Sequence, residues 1–193
     1  DVASAIAKET GISYMNKIVP YIRMIDDLEK GKADVIMLFP NERLNKNSIN
    51  IAPLFPLENI VIGLKGTTYQ SLKDLHGKVV GQVRGANYDD NLTADTSIEK
   101  YPTKNYQQNI GMLFNKRVHA IAGPYVSLIY AAGKLGYKRE QLGEPLVLNS
   151  RNVCIFYSKI TAKPQIISKL KNAIEKLKKE QTFEKILKNY QQF

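Results

Sequence analysis

Ala33-Asp34-Val35-Ile36-Met37-Leu38-Phe39-Pro40-Asn41-Glu42-Arg43 and Lys78-Val79-Val80-Gly81-Gln82-Val83-Arg84-Gly85-Ala86-Asn87-Tyr88 share one plan. Each begins as a short apolar run of the kind that forms a strand buried on both faces, and each places an arginine past the point where that run stops. In open α/β sheets the region beyond the carboxyl ends of the strands is where ligands bind. An arginine at each of two strand ends predicts a clamp on an anion.

Outward from these stretches, strands and helices alternate. A helix is predicted over 2–10, stopped by Gly11 as a C-cap, then a strand over 13–19 and a helix over 21–30 closed by Gly31. The first quoted strand, 33–38, and another apolar run, 59–64, complete this set. Past Gly66-Thr67-Thr68 come a helical turn over 72–75, the second quoted strand over 78–83 and a helix from Tyr88 onward. A helix from Asn105 to Phe114, a strand over 118–122 and a helix over 125–135 follow. Strands are predicted over 146–148 and 153–157, and Pro164, suited to a first turn, starts a long final helix. Such alternation implies an α/β fold with largely parallel sheets. The Gly66 and Gly143-Glu144-Pro145 stretches are the expected crossings between two lobes.

The chain has 193 residues, enough for one domain or two small lobes with a real core. Cys154 is its only cysteine, which excludes a disulfide framework and reads as a buried apolar residue in Val153-Cys154-Ile155-Phe156. No run approaches the ~20 apolar residues that span a bilayer, and Asp1 opens onto a helix without a basic-then-apolar leader, so a soluble chain is expected. The formal charge of +10 invites a nucleic-acid reading, but its densest part, Lys169, Lys171, Lys176, Lys178 and Lys179, lies opposite the apolar spacing Ile166, Ile167, Leu170, Ala173, Ile174, Leu177. That is the solvated face of an amphipathic helix, and no basic stretch is interleaved with stacking aromatics, so no nucleic-acid partner is expected.

Enzyme readings find little support. His76 and His119 have no second histidine or cysteine at metal-ligand spacing, and there is no nucleophile elbow, P-loop or dinucleotide fingerprint. Asp89-Asp90 reads as a complement to a helix dipole. No catalytic residue, metal site or cofactor is expected.

The order Ala5-Ile6-Ala7-Lys8-Glu9, Pro20-Tyr21, Leu28-Glu29-Lys30-Gly31-Lys32-Ala33-Asp34-Val35, Glu42-Arg43, Ala52-Pro53-Leu54, Leu72-Lys73-Asp74-Leu75-His76-Gly77-Lys78-Val79-Val80-Gly81 and Thr182-Phe183-Glu184-Lys185-Ile186-Leu187 resembles the family 3 extracellular solute-binding proteins, the polar amino-acid type of periplasmic binding protein. It runs over essentially the whole chain. The resemblance implies a two-lobed type II fold, a Venus flytrap, with lobe 1 over 1–65 and 149–193 and lobe 2 over 66–148. The lobes would close on a small polar or anionic solute in the cleft between them, for delivery to the membrane subunits of an ABC importer from a periplasmic or other extracytoplasmic location. A monomer is expected. Family members carry about one more strand and loop before the position of Asp1, supplying the first sheet strand and an aromatic contact. Arg43 would pair with a ligand carboxylate and Tyr21 would pack on the ligand, with Phe39 beside the Glu-Arg motif. Arg23 belongs to a Pro-aromatic-x-Arg pattern of one branch. Arg84, Gly85, Ala86, Asn87 and Tyr88 would form the second-lobe loop, whose amides at a helix N-terminus favour anions, and Tyr125 opens the helix after Gly123-Pro124.

Departures from the family pattern bear on the ligand. Amino-acid binders end the strand after the 105–114 helix in Gly-Asp, whose aspartate receives the ligand ammonium, where this chain has Gly123-Pro124. Hydroxyl residues are likewise replaced by Pro40 and Ala86. A carboxylate-bearing solute that does not depend on an α-ammonium is therefore expected, with Arg43 indispensable. The alternatives are a cleft enzyme of dehydratase type and the sensor domain of a membrane receptor.

Overall fold

The computed structural model of the chain describes residues 1–190. They form two compact units, Asp1–Pro56 with Asn152–Asn189 and Leu57–Arg151 with Tyr190. The glycine turns read as crossings lie inside the second unit, where Leu64 and Leu142 form a bridge. The chain passes between units within two long strands instead, Ser48–Ile62 and Leu146–Ser158.

Unit 1 begins with α1 (Val2–Thr10), ended by Gly11 in the left-handed region, and α2 (Tyr21–Glu29). β1 (Val35–Leu38) and α3 (Glu42–Asn47) lead into β2 (Ser48–Ile62). The apolar spacing of α2 puts Ile25 and Leu28 against Ile36, Leu44, Cys154 and Phe156, with Tyr21 and Met24 packed at the margin. Full burial of each large side chain there is worth roughly 1.5–3 kcal/mol. β1 is an edge strand, and among the described residues its outer edge has no strand partner.

Residues 13–19, expected as a strand, carry no regular structure, with Met15 and Ile18 92% and 94% exposed. They pair with no strand among the described residues, and a strand without a ladder is not stable in water. A groove of about 990 Å³, lined by residues 12–17 and 32–37 with parts of α1 and the C-terminal region, lies there instead.

Unit 2 holds β3 (Val79–Val83), α4 (Asp90–Ala94), β4 (Glu99–Thr103), α5 (Tyr106–Phe114), β5 (Ala120–Pro124) and α6 (Tyr125–Lys134). The order is β2-β5-β3-β4, with β3 parallel to β4 and β5, and β2 antiparallel to β5. Ile60, Ile62, Ile110, Leu113, Ile121 and Leu128 anchor its core. A Cβ on Gly81 would stand 2.8 Å from the Oδ1 of Asn109, so β3 and α5 approach this closely only because that residue is glycine. The edge strand β4 escaped the sequence reading, because Glu99-Lys100-Tyr101-Pro102-Thr103 has the charges and proline of a protected edge rather than an apolar run.

The sixth strand completes the scheme, β6 being the long strand Leu146–Ser158, read from sequence as two short ones and antiparallel to β1. α7 (Pro164–Lys179), with proline in its first turn as predicted, and α8 (Thr182–Asn189) follow. On α7, Leu170, Ala173, Ile174 and Leu177 are buried, while Lys169, Lys171, Lys176 and Lys179 are exposed.

Candidate functional site

In unit 1 the predicted residues gather at the start of α2 and past the end of β1. Tyr21 opens α2 after Pro20 and is half-buried on the core, Phe39 is half-buried directly after β1, and Arg23 projects into solvent 3.6 Å from Asp27 one turn on. Asn41 caps α3 by accepting from the Leu44 amide at 2.9 Å, which sets Arg43 in the first turn. The Arg43 guanidinium is engaged. Its Nε donates to the Glu29 carboxylate at 2.8 Å and its Nη2 donates to both Glu29 and Asp26. The bond to Glu29, then that to Asp26, holds the guanidinium pKa well above its ordinary value, and the same arginine holds the Glu29 carboxyl below the usual range. One cation between two carboxylates leaves this patch net negative.

Asp26 and Glu29 were not singled out in the sequence. Their signal was present, because residues three apart on a helix share a face and α2 is short enough to present both toward the first turn of α3.

In unit 2 the carboxyl ends of three parallel strands come together. Arg84 follows β3, its amide donating to Thr103 at the end of β4 at 2.9 Å, and Pro124 ends β5. Gly85, at φ 78, makes the turn, and Ala86 donates back to Val83 at 3.0 Å. Arg84 is exposed, and among the described residues nothing pairs with its guanidinium. Tyr88 is 3% exposed and its hydroxyl lies 3.3 Å from that of Tyr106, so it supports the loop from beneath. Tyr125 starts α6 immediately after Pro124, its hydroxyl accepting from Arg139 at 3.3 Å.

Two details alter the chemistry expected of this loop. The first-turn donor of α4 is already met, since Asp89 accepts from the Leu92 amide at 2.9 Å, and that carboxylate disfavours an anion at the helix start. The Asn87 side chain, exposed though it is, donates to Asp90 at 2.7 Å and accepts from Thr93 at 3.0 Å. What the loop offers an anion is the Arg84 guanidinium.

Three further residues missed in the sequence fasten the loop from behind. Asn149 donates to the Tyr88 carbonyl and the Asp89 carboxylate, each at 2.9 Å, Asn59 donates to Asn149 at 2.9 Å, and Arg151 donates to the Asn87 carbonyl at 3.1 Å. Nothing local marked them, because these pairs span 60 to 90 residues.

The residues set aside in the sequence have structural surroundings. Cys154 is buried and its thiol pKa is pushed up by burial, the His119 Nδ1 accepts from the Val79 amide at 3.0 Å, and His76 lies 3.0 Å from Asp95. Among the described residues no cluster of metal-ligating side chains occurs.

No family model matches the chain. It is 26% identical over 196 residues to a probable amino-acid-binding protein of Bacillus subtilis (strain 168), YxeM, which covers 98% of this chain and 74% of that protein. Among solved structures, an ancestral arginine-binding protein bound to arginine matches 98% of this chain and 85% of its own, at 22% identity and a TM-score of 0.81. The amino acid ABC transporter substrate-binding protein AbpA of Streptococcus pneumoniae, bound to L-arginine, matches 98% and 81%, at 21% identity and a TM-score of 0.81. The family 3 resemblance is borne out by these relatives, and the fold is that of the substrate-binding proteins of ABC transporters. The relatives are binding proteins, in agreement with the expectation of a non-catalytic role.

Proposed function

We propose that this chain is the solute-binding component of an ABC-type importer, working outside the cytoplasmic membrane as a monomer and taking a small carboxylate-bearing solute of the amino-acid class. The observation that carries the reading is the Arg84 guanidinium, exposed and without a counter-ion among the described residues, at the carboxyl ends of three parallel strands. An unpaired guanidinium in that position suits the planar carboxylate of a small acid, which it meets with two parallel hydrogen bonds. Gly85, Ala86, Asn87 and Tyr125 are proposed as the rest of this contact surface, with Tyr88 supporting it from beneath. On unit 1, Tyr21, Arg23, Phe39 and Arg43 are proposed as ligand contacts from the resemblance. Support for the solute class comes from the Bacillus subtilis relative, a probable amino-acid-binding protein, and from the ancestral arginine-binding protein, solved with arginine and with glutamine.

Calorimetric titration with L-arginine, L-glutamine and their deamino analogues tests the proposal. Saturable binding of at least one carboxylate-bearing member, lost when the carboxylate is amidated, is the expected result. Binding that survives amidation refutes it.

A further inference from the structure

The 84–89 loop is unusual in what holds it. Its own residues form the Val83–Ala86 turn and the Asp89 cap, but its far half hangs on β6, at Asn149 and Arg151. Asn149 uses its amide nitrogen twice, on the Tyr88 carbonyl and the Asp89 carboxylate, and its oxygen accepts from Asn59.

Asn59 is the telling member. It is 0% exposed on β2, and its Oδ1 has no partner among the described residues. A buried polar atom left unsatisfied opposes folding, and a leucine of similar volume would avoid that penalty. The amide therefore makes poor sense as a stabiliser of the core and good sense as the group that fixes the Asn149 rotamer. With its oxygen held by Asn59, Asn149 must aim its two donors at the loop.

We infer that Asn149, oriented by Asn59, is a positioning residue that sets the 84–89 loop and with it the Arg84 guanidinium. The inference rests on the proposed role of Arg84 in binding. It also has a consequence for transmission. Asn149 lies on β6 two residues before Arg151, the last residue of unit 2 on that strand, so the course of β6 at the crossing and the conformation of the anion loop are linked. Linkage of this kind is reciprocal, so an anion that orders the loop also orders this part of β6.

Hydrogen exchange on the apo protein with Asn149→Asp and Asn59→Leu decides the matter. Asn149→Asp keeps the size and the acceptor for Asn59 but removes both loop donors and sets a carboxylate against Asp89. The amides of 85–89 should then exchange about tenfold faster or more, as expected for two lost hydrogen bonds, one of them to a carboxylate, while those of β3 and β5 stay unchanged. Asn59→Leu should leave the melting temperature unchanged or higher and still speed exchange in 85–89. Exchange raised equally across β3 and β5 means a merely structural role, and unaltered exchange in 85–89 overturns the inference. Titration with L-arginine and L-glutamine separates the two claims. If neither binds the wild type, the proposed solute class fails and the exchange result stands. If Arg84→Met weakens binding and Asn149→Asp does not, the positioning role fails alone.

Discussion

Past the end of β1, the guanidinium of Arg43 lies between the carboxylates of Asp26 and Glu29, whereas past the end of β3 the guanidinium of Arg84 has no counter-ion among the described residues. The local plans are the same, an apolar strand followed by an arginine in a turn or first helical turn. The difference comes from α2, which presents two acids toward Arg43, while no helix does so for Arg84. One strand end is net negative with its arginine engaged, the other carries a free cation. An arginine at a strand end is thus a candidate anion anchor only after its own partners have been found.

The largest effect is expected from Arg84→Met. A charge-assisted hydrogen bond contributes roughly 1.5–3 kcal/mol, so affinity for a carboxylate-bearing ligand should fall by about tenfold to a hundredfold. With no native partner to lose, the melting temperature should not move. Calorimetry and thermal unfolding on the same sample check both halves. A fall in stability as large as the fall in affinity would show that Arg84 has a structural partner and erase the contrast.

Next comes Gly85→Ala. Its φ of 78 is in the left-handed region, where a residue with a Cβ is strained by about 1–2 kcal/mol. The counterpart in unit 1 needs no such residue, because Asn41 caps α3 from an extended conformation. Asn41→Ala should cost about 1 kcal/mol of stability through the lost cap without altering ligand affinity, whereas Gly85→Ala should lower both. Urea unfolding with parallel titrations distinguishes them.

Arg43→Met comes third. Its ion pairs are largely solvent-exposed, and such pairs contribute at most about 1 kcal/mol, so stability should change little. A carboxylate ligand would have to displace Asp26 and Glu29 to reach Arg43, so the loss of affinity should be smaller than for Arg84→Met. A larger loss would reverse the comparison and restore Arg43 as the principal carboxylate partner expected from the resemblance. The pH dependence offers a finer check. The Glu29 pKa is depressed in the folded protein, first by its bond to Arg43, so the stabilisation it gives is present above the ordinary glutamate range and lost as pH falls below it. The stability difference between wild type and Arg43→Met should shrink over that acid window, and the Glu29 carboxyl, followed by NMR, should titrate higher in the variant.

How much of this was legible follows from the range of the interactions. Strands 33–38 and 78–83, the Pro164 helix start and the 72–75 turn were readable because their signals are local periodicity, capping and glycine. The 13–19 strand failed although its composition was right, since a strand exists only within a ladder and this segment pairs with none. β4 was invisible for the opposite reason, because pairing with β3 makes a strand of a segment whose own residues argue against one. At the site, Arg84 and the Gly85 turn could be placed from sequence. The Asp26–Glu29 grip on Arg43 and the Asn59–Asn149 support could not, since each joins side chains from segments that only the fold brings together.

The smallest effect is expected at the ligand ammonium, where Pro124 and Ala86 depart from the pattern that the resemblance implies. At the unit 2 strand ends the side-chain acceptors already have partners, Asp89 accepting from Leu92 and Asn149 and Asp90 from Asn87. Pro124 and Ala86 have no side-chain acceptor, and the Asn87 oxygen already accepts from Thr93. An ammonium bound there would give up water without a partner, at a cost of several kcal/mol if fully buried. A ligand fixed through its carboxylate to Arg84 should thus be indifferent to the α-amino group, and for each matched pair the deamino analogue should bind as tightly as the amino acid or slightly more so. If the amino acid binds tightly and its deamino partner does not, the expectation fails, because an acceptor must then be holding the ammonium.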